Sequence, residues 1–109
     1  MVTPDIHIEN FVKEHFGRKN SLPILQVVLA YTVEPPQRFN AQLVFEDVQD
    51  ANDSSTAGHS TVSKELQLMT VLGMIVRGEK LKTEVPYTRT DSPLWEPAKI
   101  VVAEWARQQ

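Results

Sequence analysis

The sequence predicts an α+β domain, an α-β-β-β-α unit in which two helices cover one face of a three-stranded antiparallel sheet. A C-terminal extension carrying a third helix follows. Three observations lead there. Residues 58–78, GHSTVSKELQLMTVLGMIVRG, have the apolar spacing of one long helix. Residues 39–46 alternate Phe39, Ala41, Leu43 and Phe45 with Asn40, Gln42, Val44 and Glu46, as a strand does. Thr3-Pro4-Asp5 reads as a helix start, with a capping hydroxyl, a proline at the first helical position and an acid near the positive end of the dipole. The expected division is a domain over residues 1–78 and an extension over residues 79–109, packing on that domain or on a partner.

The first helix carries Ile8, Phe11, Val12 and Phe16 on one side and stops at Gly17. His15 lies within that stripe and His7 off it. Residues 22–33, LPILQVVLAYTV, are expected to form the first strand. Leu25, Val27, Leu29, Tyr31 and Val33 share one face, and Ile24, Val28 and Ala30 share the other, so neither face is polar. Glu34-Pro35-Pro36-Gln37 is a turn, because two prolines cannot continue a ladder. Residues 38–48 form the second strand and close a hairpin. Residues 49–55 are an acidic, polar turn, and residues 54–59 supply a short third strand.

The central helix is capped by Ser60 or Thr61 and ends at Gly78. Val62, Leu66, Leu68, Met69, Leu72, Ile75 and Val76 share its apolar arc. Val71 and Met74 interrupt its polar side, so a second cover is expected there. Residues 79–85 read as a strand or an extended arm. Pro86, Pro93 and Pro97 punctuate a loop, and Pro97 opens a last helix. Trp95 and Trp105 lie in this tail, and two tryptophans call for packing.

The chain has 109 residues, 41% hydrophobic and 23% charged, with a formal net charge of −3. That balance is ordinary for one globular domain. It argues against a strongly basic surface overall, though not against a local basic patch. No cysteine is present, which excludes disulfides, thiolate metal sites and a cysteine nucleophile. No run approaches the roughly 18 apolar residues that span a bilayer, so no membrane association is expected. The N-terminal residues lack a basic stretch followed by an apolar run. No signal peptide is therefore expected, and the localisation is intracellular with the compartment open. No carboxylate cluster, glycine-rich phosphate loop or Ser/His/Asp pattern is visible. The expectation is no enzyme, no cofactor, no metal and no small-molecule substrate.

In its order of elements the segment over about residues 4–78 resembles the double-stranded RNA-binding domain. Leu22-Pro23 with Leu25 looks like the entry to that family's first strand. Pro35-Pro36 before Phe39 looks like its proline turn and aromatic. Gly58, Ser60 and Ser63-Lys64-Glu65 look like the entry to its last helix. The resemblance implies duplex-RNA contacts at Glu9, Asn10, Lys13, Gln37, Arg38, Ser63 and Lys64. Glu65 stands beside the single Lys64, and Gln37 stands where the family has histidine, so weak or absent RNA binding is expected. The implied function is an interaction module in an RNA-handling complex or enzyme. A protein partner would be met through Ile24, Val28, Ala30, Val71, Met74, Trp95 and Trp105. Two alternatives stay open: a working duplex-RNA binder, and an unrelated small α+β interaction protein or phage or viral structural protein.

Overall fold

The computed structural model describes residues 21–51 and 58–108. These form four helices and one two-stranded antiparallel sheet: α1 Ser21–Ala30, α2 Ala41–Ala51, α3 His59–Val71, β1 Ile75–Arg77, β2 Tyr87–Arg89 and α4 Trp95–Arg107. The three-stranded sheet expected from the sequence does not form. Residues 22–33 and 38–48, read as its first two strands, supply α1 and α2 instead. The helix expected over residues 4–16 lies outside the described residues, as do Glu9, Asn10, Lys13, Arg18 and Lys19.

α1 is a helix because it is apolar all round and surrounded. Such a helix is stable only when enclosed. It packs against α2, α3 and α4, and Leu22, Ile24, Leu25, Val27 and Val28 are all buried. Pro23 sits in the first turn, where a missing N–H breaks no helical bond. The absence of a polar face, compatible with a doubly covered strand, belongs here to a helix covered on three sides.

α2 starts from Asn40. The Asn40 side-chain oxygen accepts from Leu43 N–H at 2.7 Å, and its carbonyl accepts from Val44 N–H at 3.1 Å, the bonds of a helix N-cap. Val44 and Val48, one turn apart, then face the core. Phe39 alone keeps the extended conformation read for this segment. It pairs with Tyr87 through N–H···O bonds of 2.9 and 2.7 Å.

α3 is shorter than the sequence suggests. It follows Gly58, which offers no capping side chain, and ends at Val71 instead of Gly78. The stop is Gly73, with φ +77°. Met74 N–H bonds to Met69 O at 2.9 Å and Gly73 N–H to Thr70 O at 3.1 Å, the two bonds of a Schellman motif. Met69 and Met74 are both fully buried, which supplies the motif's apolar contact. The chain reverses there, and Ile75–Arg77 leaves as a strand.

β1 pairs with β2 in the register Ile75–Arg89, Val76–Thr88 and Arg77–Tyr87. Residues 78–86, read as a strand or arm beginning at Glu79, connect them. Gly78 N–H bonds to Pro86 O at 2.8 Å, and a Cβ at Gly78 would lie 3.2 Å from the Pro86 ring. At the tip Leu81 and Glu84 exchange two bonds of 2.9 Å around Lys82 and Thr83.

α4 begins at Trp95, two residues before Pro97, and lies on α1 through Trp95, Ala98, Val101 and Val102. Trp95 Nε1 donates to Met74 O at 2.9 Å. The Thr90 hydroxyl donates to Gly73 O at 2.7 Å. Both bonds lock the tail to the end of α3.

Candidate nucleic-acid interface

The inner face of α3 is Val62, Glu65, Leu66 and Met69, all buried. Helical geometry then fixes what the outer face must be. Ser60, Ser63, Lys64, Gln67 and Val71 recur at the spacing of one stripe, and all five are exposed. Val71 at the end of the stripe is 82% exposed. The first four supply hydroxyl, ammonium and amide groups along about two turns.

Two anchors hold that helix. Ser21 Oγ donates to the buried Glu65 Oε1 at 2.7 Å, tying α3 to the first residue of α1. Glu65 Oε2 is buried without a partner. Phe45 of α2 stacks on His59 at the start of α3, ring centroids 3.8 Å apart. α2 is held in turn by the Tyr31 hydroxyl, which donates to Asp47 at 2.6 Å. Burial first, then the Asp47 hydrogen bond and charge, push the Tyr31 phenol well above its usual range.

The hairpin stands beside the exposed stripe. A groove of about 390 Å³ runs between the start of α2, α3 and the hairpin, lined among others by Gln42, Ser63, Gln67, Thr83 and Tyr87. Asn40 Nδ2 donates to Glu84 Oε1 at 2.6 Å across it, fixing the hairpin loop against the start of α2. Arg77, Lys80 and Lys82 are exposed on the hairpin, and Arg38 borders its other flank. Glu79 and Glu84 are the acids of this region, whereas α2 carries Glu46, Asp47 and Asp50. Positive charge thus gathers on α3 and the hairpin.

The hairpin is braced from below by Arg89. Its Nη1 donates to Leu29 O at 2.7 Å and Tyr31 O at 2.8 Å, at the negative end of α1. Its guanidinium lies 4.2 Å from the centre of the Trp95 ring. Desolvation lowers its pKa below the ordinary arginine value.

The sequence-predicted residues fall into three groups. Ser63 and Lys64 lie together on the α3 stripe, and Gln37 and Arg38 are exposed between α1 and α2. Ile24, Val28, Met74 and Trp95, expected to meet a partner, are buried in the core, whereas Ala30 and Val71 are exposed and Trp105 is half-buried. Glu9, Asn10 and Lys13 are outside the described residues. Sequence reasoning set Gln67 and Arg77 with Ser63 on the polar side of one long helix, and missed Ser60, Lys80 and Lys82 as members of that surface. Placing the helix stop at Gly73 would have revealed it, because a strand then begins before Arg77 and the lysines fall in a hairpin loop.

Among the described residues no helix is long and apolar enough to cross a membrane, and no three His, Asp or Glu side chains gather as a metal-holding group. No protein-family model, curated protein or solved structure matches this chain.

Proposed function

We propose that this chain is a duplex-DNA-binding module that lays α3 in the major groove and its hairpin along the backbone. The exposed Ser60–Ser63–Lys64–Gln67 stripe, rigidly backed by α1 and α2 and flanked by a cationic hairpin, carries this reading. A helix fits the major groove of B-form DNA, about 12 Å wide, where lysine recognises guanine, glutamine recognises adenine and serine accepts either. The order helix, pairing residue Phe39, helix, helix, hairpin resembles a winged helix-turn-helix, in which the second helix of the pair reads bases and the first crosses the backbone. Fold alone decides no function, so the argument rests on the side chains.

DNA is favoured over duplex RNA on groove shape. The major groove of A-form RNA is too deep and narrow for side chains to read. The RNA-module reading also leaned on a three-stranded sheet that the described residues do not form. A protein-interaction module is the second reading, supported by exposed Val71, Val76 and Leu81.

The test is fluorescence anisotropy with random-sequence DNA and RNA duplexes across a salt series, followed by selection of preferred DNA sites. DNA is expected to bind more tightly than RNA, with log K falling by about 0.9 per phosphate neutralised for each unit of log salt. Lys80→Ala should lower affinity for every sequence and reduce the slope by about 1. Gln67→Ala should relax base preference and leave the slope unchanged. No DNA binding at low salt, or equal affinity for the two duplexes, would refute the reading.

A further inference from the structure

We infer that the chain forms a two-fold dimer through antiparallel pairing of α4 with α4 of a second copy. One face of α4 lies on α1 through Trp95, Ala98, Val101 and Val102. The opposite face presents Glu96, Lys99, Ile100, Ala103, Ala106 and Arg107, all exposed. Ile100 is 48% exposed at the middle of that stripe, with the small Ala103 one turn along to receive it.

The charges choose the occupant and the register. A helix related to α4 by a two-fold axis midway between residues 101 and 102 sets Ile100 against Ala103 of the second copy. The same register sets Glu96 against Arg107 of the second copy, twice by symmetry, as an isologous interface requires. Sliding the pair by three residues brings Lys99 against Arg107 instead. Parallel pairing stacks Glu96 on Glu96 and Arg107 on Arg107. Both alternatives set like charges together, which opposes them. Within one chain Glu96 and Arg107 are eleven residues apart, about 16 Å along the helix, and cannot pair. Glu96 instead makes an exposed i,i+3 pair with Lys99 at 3.2 Å, a contact too weak to hold it from a second cation.

A single helix pair is small for a specific interface, so the dimer should be concentration-dependent, with Kd on the order of micromolar. The α4 face and the α3 stripe share no residue. An inverted-repeat DNA site follows only if the DNA reading above holds, whereas the dimer is measured without DNA, so the two ideas fail separately.

The experiment is sedimentation equilibrium of the full chain, 12.4 kDa as monomer, with the variants Glu96→Arg, Arg107→Glu and both together. Circular dichroism confirms that each is folded. The expected result is a monomer–dimer equilibrium that either single substitution weakens by at least about tenfold. The double substitution should restore it to near the original affinity, although it is the least favourable for the α4 dipole. A chain that stays monomeric to several hundred micromolar overturns the inference. A dimer indifferent to both single substitutions, or not rescued by the double one, overturns the register and the inference with it.

Discussion

Gly73→Ala isolates the turn on which the hairpin depends. Gly73 has φ +77°, and a Cβ built there meets nothing within 4 Å. Crowding therefore contributes nothing, and the whole cost is that of forcing an L-residue into the left-handed region, about 1–2 kcal/mol. For a domain of roughly this size each kcal/mol lowers Tm by about 4–8 °C. Gly73→Asn should cost less than Gly73→Ala, because asparagine tolerates this conformation. Gly58→Ser should have the opposite sign. Gly58 precedes α3 with φ −94° and ψ 178° and no side-chain cap, so a serine hydroxyl there gains a few tenths of a kcal/mol. Urea and thermal unfolding followed by circular dichroism measure all three. If Gly73→Ala unfolds within about 0.3 kcal/mol of the parent, or if alanine and asparagine are equivalent, residue 73 does not occupy the left-handed turn, against the 1–2 kcal/mol expected.

Three further outcomes follow from the same contacts. Arg89→Met leaves the carbonyls of Leu29 and Tyr31 without their charged donor and should cost about 1.5–3 kcal/mol; Arg89→Lys should recover only part of this, since an ammonium does not stack on Trp95 as the planar guanidinium does, and equal stability of the two variants would refute that role. Tyr31→Phe removes the bond to Asp47 and should also change the alkaline limb of stability: the folded phenol's pKa is raised, so its contribution is complete below the unfolded value of about 10 and declines as pH rises beyond it, and the gap in urea midpoint between parent and variant should be full at about pH 8 and narrow above about pH 10. Lys82 has φ +58° at the hairpin tip, where glycine is easier by up to about 1 kcal/mol, so Lys82→Gly should stabilise the fold while weakening DNA binding and reducing its salt slope by about 1; unchanged affinity would remove Lys82 from the phosphate contacts.

Parts of this fold are legible in the sequence, and the misreadings have identifiable causes. The buried face of α3 at Val62, Leu66 and Met69 follows from the 3.6-residue period, whereas the helix starts at His59 behind Gly58 and the expected caps Ser60 and Thr61 lie inside it. α1 was illegible as a helix because an element covered on three sides shows little period. Leu22, Leu25 and Leu29 have helical spacing and Leu25, Val27 and Leu29 have strand spacing in the same ten residues. α2 misleads differently. Phe39 is truly extended and pairs with Tyr87, so alternation counted from it begins on a real bridge and runs on past Asn40. The contrary signal was present: asparagine is a preferred N-cap, and Val44 and Val48 after it are one helical turn apart. The end of α3 turned on choosing between Gly73 and Gly78. Gly73 is followed by the apolar Met74, as a Schellman glycine commonly is, whereas Gly78 serves a close approach to Pro86.

Whole-chain charge obscured the candidate interface more than any single residue did. The net charge of −3 averages over two unlike parts. Residues 58–90 hold Lys64, Arg77, Lys80, Lys82 and Arg89 against Glu65, Glu79 and Glu84, a net of +2, so the remaining residues carry −5. Arg89 and Glu65 are used inside the fold, on the α1 carbonyls and Ser21. Their opposite charges leave the excess of +2 on the outward side chains. At physiological salt, charges act over about 8 Å, so a phosphate at the hairpin responds to Lys80 and Lys82 far more than to acids beyond that distance. The chain's acidity therefore weakens long-range steering toward DNA without weakening the local grip. Slow association with a steep salt dependence is the kinetic pattern such a surface should give.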